Sequence, residues 1–104
     1  PVNDYLKDQN PTYERTLTRP AARIQELNSW LKTFCTQHKF VYVDYYAALV
    51  DPQGMLQAEA SDDGLHPNAR GYRLMAPILA KAIDQTLKPA PPPPAPPAKP
   101  AKKK

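Results

Sequence analysis

Apolar positions along this chain follow first one period and then another. Over residues 20–38, Ile24, Leu27, Leu31, Phe34 and His38 return at three- and four-residue intervals, the spacing of one helix face. Trp30 and Cys35 widen that face, while Arg23, Glu26, Lys32 and Gln37 fall mostly elsewhere on the wheel. Thr18 can cap this helix, and Pro20 suits its first turn. The period then changes. Phe40-Val41-Tyr42-Val43 is a continuous, β-rich apolar run ending at Asp44, which predicts a strand over residues 40–44 buried on both faces. Such strands belong to parallel sheets covered by helices. Helix, short connection and strand in this order make the αβ half of a βαβ unit, whose first strand is expected just before Pro1.

After Asp44, residues 45–50 (YYAALV) predict a short helical turn. Asp51-Pro52-Gln53-Gly54 is a turn by its chemistry, since proline presets one φ and glycine admits a positive one. A loop over residues 55–66 leads to a second helix over residues 68–87. Its apolar positions are Tyr72, Leu74, Met75, Ile78, Leu79, Ala82, Ile83 and Leu87, with Pro77 inside it as an expected kink or tightened turn. Residues 1–19 carry turn formers and no period, so they predict a loop, with Tyr5, Leu6 and Tyr13 as its anchors to a core. No internal repeat is present.

Charge changes this picture only at one end. Residues 88–104 (KPAPPPPAPPAKPAKKK) hold 8 of the 14 prolines, 5 of the 14 basic residues and no acidic one. The other 87 residues carry 9 Lys+Arg against 10 Asp+Glu, a net of −1, so the formal +4 belongs to the tail. The basic balance therefore gives no ground for a nucleic-acid-binding domain, and no specific nucleic-acid partner is expected. The tail cannot bury apolar surface and is expected to be disordered, with polyproline-II character. The domain reading is thus one small domain over residues 1–87 and a tail over residues 88–104. The single cysteine, Cys35, excludes an intramolecular disulfide framework and a multi-cysteine zinc site. No apolar run reaches the roughly 18–20 residues of a membrane-spanning helix. The polar opening lacks the basic-then-apolar order of a signal peptide, so the chain is expected to be processed or part of a longer one.

Candidate chemistry sits in Ser61-Asp62-Asp63-Gly64-Leu65-His66-Pro67-Asn68. Asp63 and His66 are three apart with a glycine between them, so the backbone can turn tightly enough to join carboxylate and imidazole. A carboxylate on one ring nitrogen fixes the tautomer and stabilises the imidazolium, leaving the other nitrogen as a general base. Pro67 stiffens the exit into the second helix, and Asn68 is a good cap. The competing reading is a plain capping turn with two solvated polar side chains, since short motifs match by accident.

The surroundings weigh in. Asp63-Gly64-x-His66-Pro67-Asn68, followed by Gly71-Tyr72 and Met75-Ala76, resembles the last sequence block of the SGNH (GDSL-type) hydrolases. Upstream, Pro1-Val2-Asn3-Asp4-Tyr5 resembles the loop leaving their fourth strand. Ile24-Gln25-Glu26-Leu27-Asn28-x-Trp30 resembles their penultimate long helix, and Val41-x-Val43-Asp44-Tyr45-Tyr46 their final strand. The resemblance spans residues 1–87 in the correct order. It implies the C-terminal part of a three-layer α/β/α, flavodoxin-like parallel-sheet fold, and an activity on carboxylic esters such as acyl lipids or acetylated sugars. It matches Asp63 to the family's triad acid and His66 to its general base; no cofactor is expected, and with two histidines in the whole chain no metal site is expected either. The family's Gly-Asp-Ser nucleophile motif has no counterpart here: the only serines are Ser29, mid-helix, and Ser61. Its oxyanion-hole Gly and Asn lie in earlier blocks, and that role does not pass to Asn3. The implied partner is the missing N-terminal half of the hydrolase domain, and without it the chain is expected to be inactive and marginally stable.

Other constellations carry less. His38 closes an apolar helix face, where a packed histidine is the simpler reading, and Asp62 beside Asp63 offers at most weak cation attraction. Cys35 reads as a small core residue. Tyr42, Tyr45 and Tyr46 stand where α/β proteins bind ligands, though packing explains Tyr42 as well. The alternative function, from a different class, is a non-catalytic interaction module. It would act through the tail, whose Pro91-x-x-Pro94 match suits an aromatic groove and whose Lys102, Lys103 and Lys104 suit an anionic surface. The sequence points to no compartment.

Overall fold

A computed structural model describes residues 1–88 and 92–98. Three helices form: α1 (Ala21–His38), α2 (Tyr45–Leu49) and α3 (Ala69–Leu87), with single 3₁₀ turns at Pro11–Tyr13 and Ala58–Ala60. The two long helices agree with the apolar periods to within a residue. Thr18 does not cap α1, however. Pro20 stands at the N-cap with extended backbone and no side-chain bond, and Thr18 Oγ1 instead accepts a bond from Arg19 Nη1. At the other end Lys39 adopts the left-handed conformation (φ 58°), and the Lys39 and Phe40 amides close on the Thr36 and Cys35 carbonyls. That pair of bonds stops a helix without the glycine that usually does so.

The strand expected over residues 40–44 does not form. Among the described residues there is no β-strand, only isolated antiparallel bridges between Val50 and Leu56 and between Ser61 and Pro67. The reason is physical: a strand exists only by pairing its amides and carbonyls with a neighbour. Residues 1–88 contain no second β-rich run to pair with, so the β character of residues 40–43 is unexpressed. Phe40 keeps 60% of its surface exposed.

What core there is lies between α2, the turn at Ala58–Ala60 and the first half of α3. Leu49, Leu56 and Ala60 are buried, with Tyr45, Leu74 and Met75 packed against them. Leu56, 1% exposed, contributes roughly 2 kcal/mol by its burial. Asp44 Oδ1 accepts from the Ala47 amide to start α2, and Asp51 Oδ1 accepts from Gln53 and Met55 in the turn that brings Leu56 back over Leu49. Gly54 has the positive φ (82°) that this turn requires. The N-terminal segment is anchored through Val2, which is buried and whose carbonyl accepts from the Leu56 amide at 2.9 Å. Of the anchors expected there, Tyr5 is partly exposed, and Leu6 and Tyr13 are only half-buried.

Pro77 lies inside α3 with the helix continuous on either side, at an exposed position where water can replace the bond its missing N–H would make. Of the apolar positions of α3, Ala82 is buried while Tyr72, Leu79, Ile83 and Leu87 are exposed. The apolar face is wider than the surface these residues offer it. Residues 92–98 are exposed and carry no regular secondary structure. The rest of the expected disordered tail, including Pro91 of the PxxP match and Lys102, Lys103 and Lys104, lies outside the described residues.

Candidate active site

The loop carrying Asp63 and His66 is held at both ends. Its first residue follows Ala60, and its last is Asn68, whose amide donates to the Ala60 carbonyl at 2.8 Å. Gly71, in the first turn of α3, lets the helix ride directly on that carbonyl: a Cβ there would stand 2.5 Å from Ala60 O. Asn68 caps α3 by accepting from the Gly71 amide, and its Nδ2 donates to the Glu59 carbonyl and to Asp62 Oδ1. Asp62 is thus a tether for the cap.

Within the loop, Asp63 and His66 come together. His66 Nδ1 lies 2.6 Å from Asp63 Oδ2. Asp63 Oδ1 accepts from the backbone amides of Leu65 and His66, both at 2.8 Å. The hydrogen bond with the His66 ring, then the His66 amide, hold the Asp63 carboxyl well below the usual carboxylate range, against a smaller opposing push from burial. An ionised Asp63 requires the proton of a neutral imidazole to sit on Nδ1, which leaves the Nε2 lone pair free. Nε2 has no partner among the described residues, and the His66 side chain is 75% exposed against 31% for Asp63. The arrangement can take a proton at Nε2 while a fixed anion steadies the cation that results.

Gly64 is required twice over. Its φ is +78°, and a Cβ on it would stand 2.2 Å from the Asn3 carbonyl oxygen. That approach allows the Asn3 amide to donate to the Gly64 carbonyl at 2.8 Å. Asn3 is otherwise committed: Nδ2 donates to the Leu56 carbonyl and Oδ1 accepts from the Tyr5 amide. Asp4 in turn gathers the Arg15 amide and the Thr16 amide and hydroxyl. Burial alone would raise the Asp4 carboxyl, but these bonds, the Thr16 hydroxyl first among them, bring it below its ordinary value. So placed, Arg15 Nε donates to the Asp63 carbonyl at 3.2 Å. The N-terminal loop is therefore a strap across the site, a role that residues 1–19 did not advertise beyond their turn chemistry.

Neither serine hydroxyl is bonded to the His66 ring among the described residues. Ser29 is an exposed residue within α1. Ser61 is 2% exposed, and its hydroxyl donates to the His66 carbonyl at 2.7 Å while accepting from the Gly64 amide at 3.0 Å. Of the tyrosines, Tyr45 packs on the core, and Tyr46 Oη accepts from Gln25 Nε2 at 3.1 Å. An open cavity of about 280 Å³ borders the loop through Leu65 and Pro67 and is otherwise walled largely by apolar side chains, among them Ile24, Leu56 and Met75. His38 stacks between Phe34 and Phe40 at 4.2 and 5.8 Å between ring centroids, an exposed aromatic row rather than a ligand set. Among the described residues, no three His, Cys, Asp or Glu side chains converge as a metal ion would need.

The family profile described as GDSL-like Lipase/Acylhydrolase matches residues 5–74, a span that contains α1, α2, the Asp63–His66 loop and the strap from Tyr5 onward. No curated protein matches the chain. A match over that much of the sequence, in agreement with the motif order read from its residues, decides the assignment: the chain belongs to the GDSL-like lipase/acylhydrolase family, whose chemistry is the hydrolysis of esters and whose fold is α/β.

Proposed function

We propose that Asp63 and His66 are the acid and base of a serine-type ester hydrolysis, and that residues 1–87 are the acid–base portion of the hydrolase domain. The observation that carries this reading is the 2.6 Å contact between His66 Nδ1 and Asp63 Oδ2, with Nε2 turned free. In the first step His66 Nε2 takes the proton of a serine hydroxyl as that oxygen attacks the ester carbonyl. Asp63 holds the Nδ1 proton and balances the imidazolium. The proton then passes from Nε2 to the leaving alkoxide oxygen, releasing the alcohol and leaving an acyl-serine. In the second half Nε2 takes a proton from water, the resulting hydroxide attacks the acyl carbon, and the proton returns to the serine. The serine and the donors that stabilise the oxyanion come from outside these 104 residues, because Ser61 is buried and bonded and Ser29 belongs to α1. The substrates are carboxylic esters of the acyl-lipid or acetylated-sugar kind, and residues 88–104 act as a spacer.

The test has two arms. The 104-residue chain alone is expected to resist labelling by a serine-directed fluorophosphonate and to cleave nitrophenyl acetate no faster than free imidazole does. Joined with the segment that carries the Gly-Asp-Ser, it is expected to label and turn over, and His66→Ala is expected to abolish the turnover. Robust hydrolysis by the 104 residues alone, surviving Ser61→Ala and Ser29→Ala, would mean a different nucleophile and would sink this reading.

A further inference from the structure

The acid–base reading leaves one buried group unused. Ser61 is the buried polar side chain among the described residues, and the acid–base reading gives its hydroxyl no step. Its hydroxyl donates to the His66 carbonyl at 2.7 Å, with Asp63 Oδ1 at 3.2 Å as a weaker second acceptor, and accepts from the Gly64 amide at 3.0 Å. Asp63 Oδ1 holds the amide on the N-terminal side of His66, at 2.8 Å. Between them, Asp63 and Ser61 fix both peptide planes that flank the His66 α-carbon. Those two planes decide the direction in which the His66 Cβ leaves the chain, and hence whether Nδ1 meets Oδ2. The Ser61 peptide is itself pinned, because Tyr5 Oη donates to the Ser61 carbonyl at 2.6 Å.

From this geometry we infer that Ser61, held by Tyr5, is a positioning residue for the Asp63–His66 pair: its hydroxyl aims the imidazole rather than attacking substrate. The inference rests on the acid–base reading for its catalytic consequence, but the aim of the ring can be measured without turnover. A hydroxyl is needed because it must donate and accept at once at a buried position. Alanine leaves the Gly64 amide and the His66 carbonyl without partners in a buried place, and the loop relaxes toward water at the cost of the ring's direction. Threonine keeps the hydroxyl that makes both bonds. A loss of aim on the order of 1 Å costs about 10²-fold in rate when a catalytic group must meet its partner in one orientation.

The experiment is ring ¹⁵N NMR of His66 in the full chain, which reads the tautomer directly. Wild type is expected to hold the Nδ1–H form. Ser61→Ala is expected to shift the population toward Nε2–H and Ser61→Thr to restore it; in the serine-bearing protein, kcat/KM is expected to fall about 10²-fold in the alanine variant alone. A merely structural serine would change stability and leave the tautomer of the folded protein untouched. An unchanged tautomer and unchanged turnover in folded Ser61→Ala would overturn the inference. Should that variant not fold, Tyr5→Phe decides instead, since it removes only the phenol bond from a partly exposed ring. A shift in the same direction supports the inference, and an unchanged tautomer overturns it. Failure of the acid–base reading shows separately, as turnover retained in His66→Ala with the tautomer result standing.

Discussion

In the loop from Ala60 to Asn68, a buried serine, a capping asparagine and two carboxylates each hold backbone groups or one another, and the N-terminal strap closes over them. Along α1 and residues 40–44 the reverse holds. No residue of α1 is buried, Trp30 is 60% exposed, and a run of β-forming residues pairs with no strand among the described residues. The difference teaches which parts of a fold are local. The site loop is specified by interactions within a few residues of one another, plus one strap, so it assembles from what the chain contains. A sheet is specified by partners distant in sequence, and β propensity without such a partner remains an extended, unpaired segment. The chemistry-bearing loop is complete, while the layer that supports it in the α/β fold of this family is not assembled from these residues.

The sharpest way to break this comparison is to mutate each region equally. Leu56→Ala removes a fully buried side chain from under the site and is expected to cost about 2–5 kcal/mol. Leu27→Ala removes one of the same size from the open face of α1 and is expected to fall within about 0.5 kcal/mol of wild type. Urea unfolding of both variants checks the pair, and equal losses would mean that α1 is packed after all.

A second pair sharpens it at the level of single atoms. Gly64 and Gly54 both have positive φ, but only at Gly64 does an added methyl meet backbone, the Asn3 carbonyl oxygen at 2.2 Å. Around Gly54 nothing approaches closer than 3.9 Å. Gly54→Ala is expected to cost about 1 kcal/mol, from backbone conformation alone. Gly64→Ala should cost about 2 kcal/mol or more, because the strap must also lift away. Loss of amide protection at Asn3 in the Gly64 variant alone is the accompanying signal in hydrogen exchange.

A gentler probe is pH. The folded-state pKa of Asp63 lies below its ordinary value, so the ionised group contributes stability that is fully present above about pH 4. That contribution is lost as pH falls through the depressed folded value, where protonation breaks the bond to His66 and weakens the bonds to the Leu65 and His66 amides. The stability difference between wild type and Asp63→Asn is therefore expected to shrink on acidification below about pH 4. Partial exposure keeps the effect small. A difference that grew toward acid would contradict the assigned sign.

The same division explains what the sequence disclosed. Both long helices, the Asp51–Gly54 turn, the Asn68 cap and the Asp63–His66 contact all depend on residues at most four positions apart, and all were legible. Thr18 was the better cap by chemistry, but the backbone enters α1 two residues too late for it, and Pro20 takes the place. Val2 and Ser61 could not be found by pattern: one is a lone valine in a polar segment, the other a lone serine whose carbonyl is held by Tyr5, more than fifty positions away. The strand over residues 40–44 failed for the same reason in reverse, since its signal was local and its realisation is not.

The central claim is that Asp63 orients and balances His66 as a base, and Asp63→Asn tests it most directly in the serine-bearing protein. The asparagine keeps the size and the loop's amide contacts but presents the wrong group to Nδ1, stabilising the wrong tautomer. The account predicts a fall in kcat of about 10⁴-fold with KM and the folded loop little changed. A fall of less than about tenfold, with the loop still folded, would contradict it.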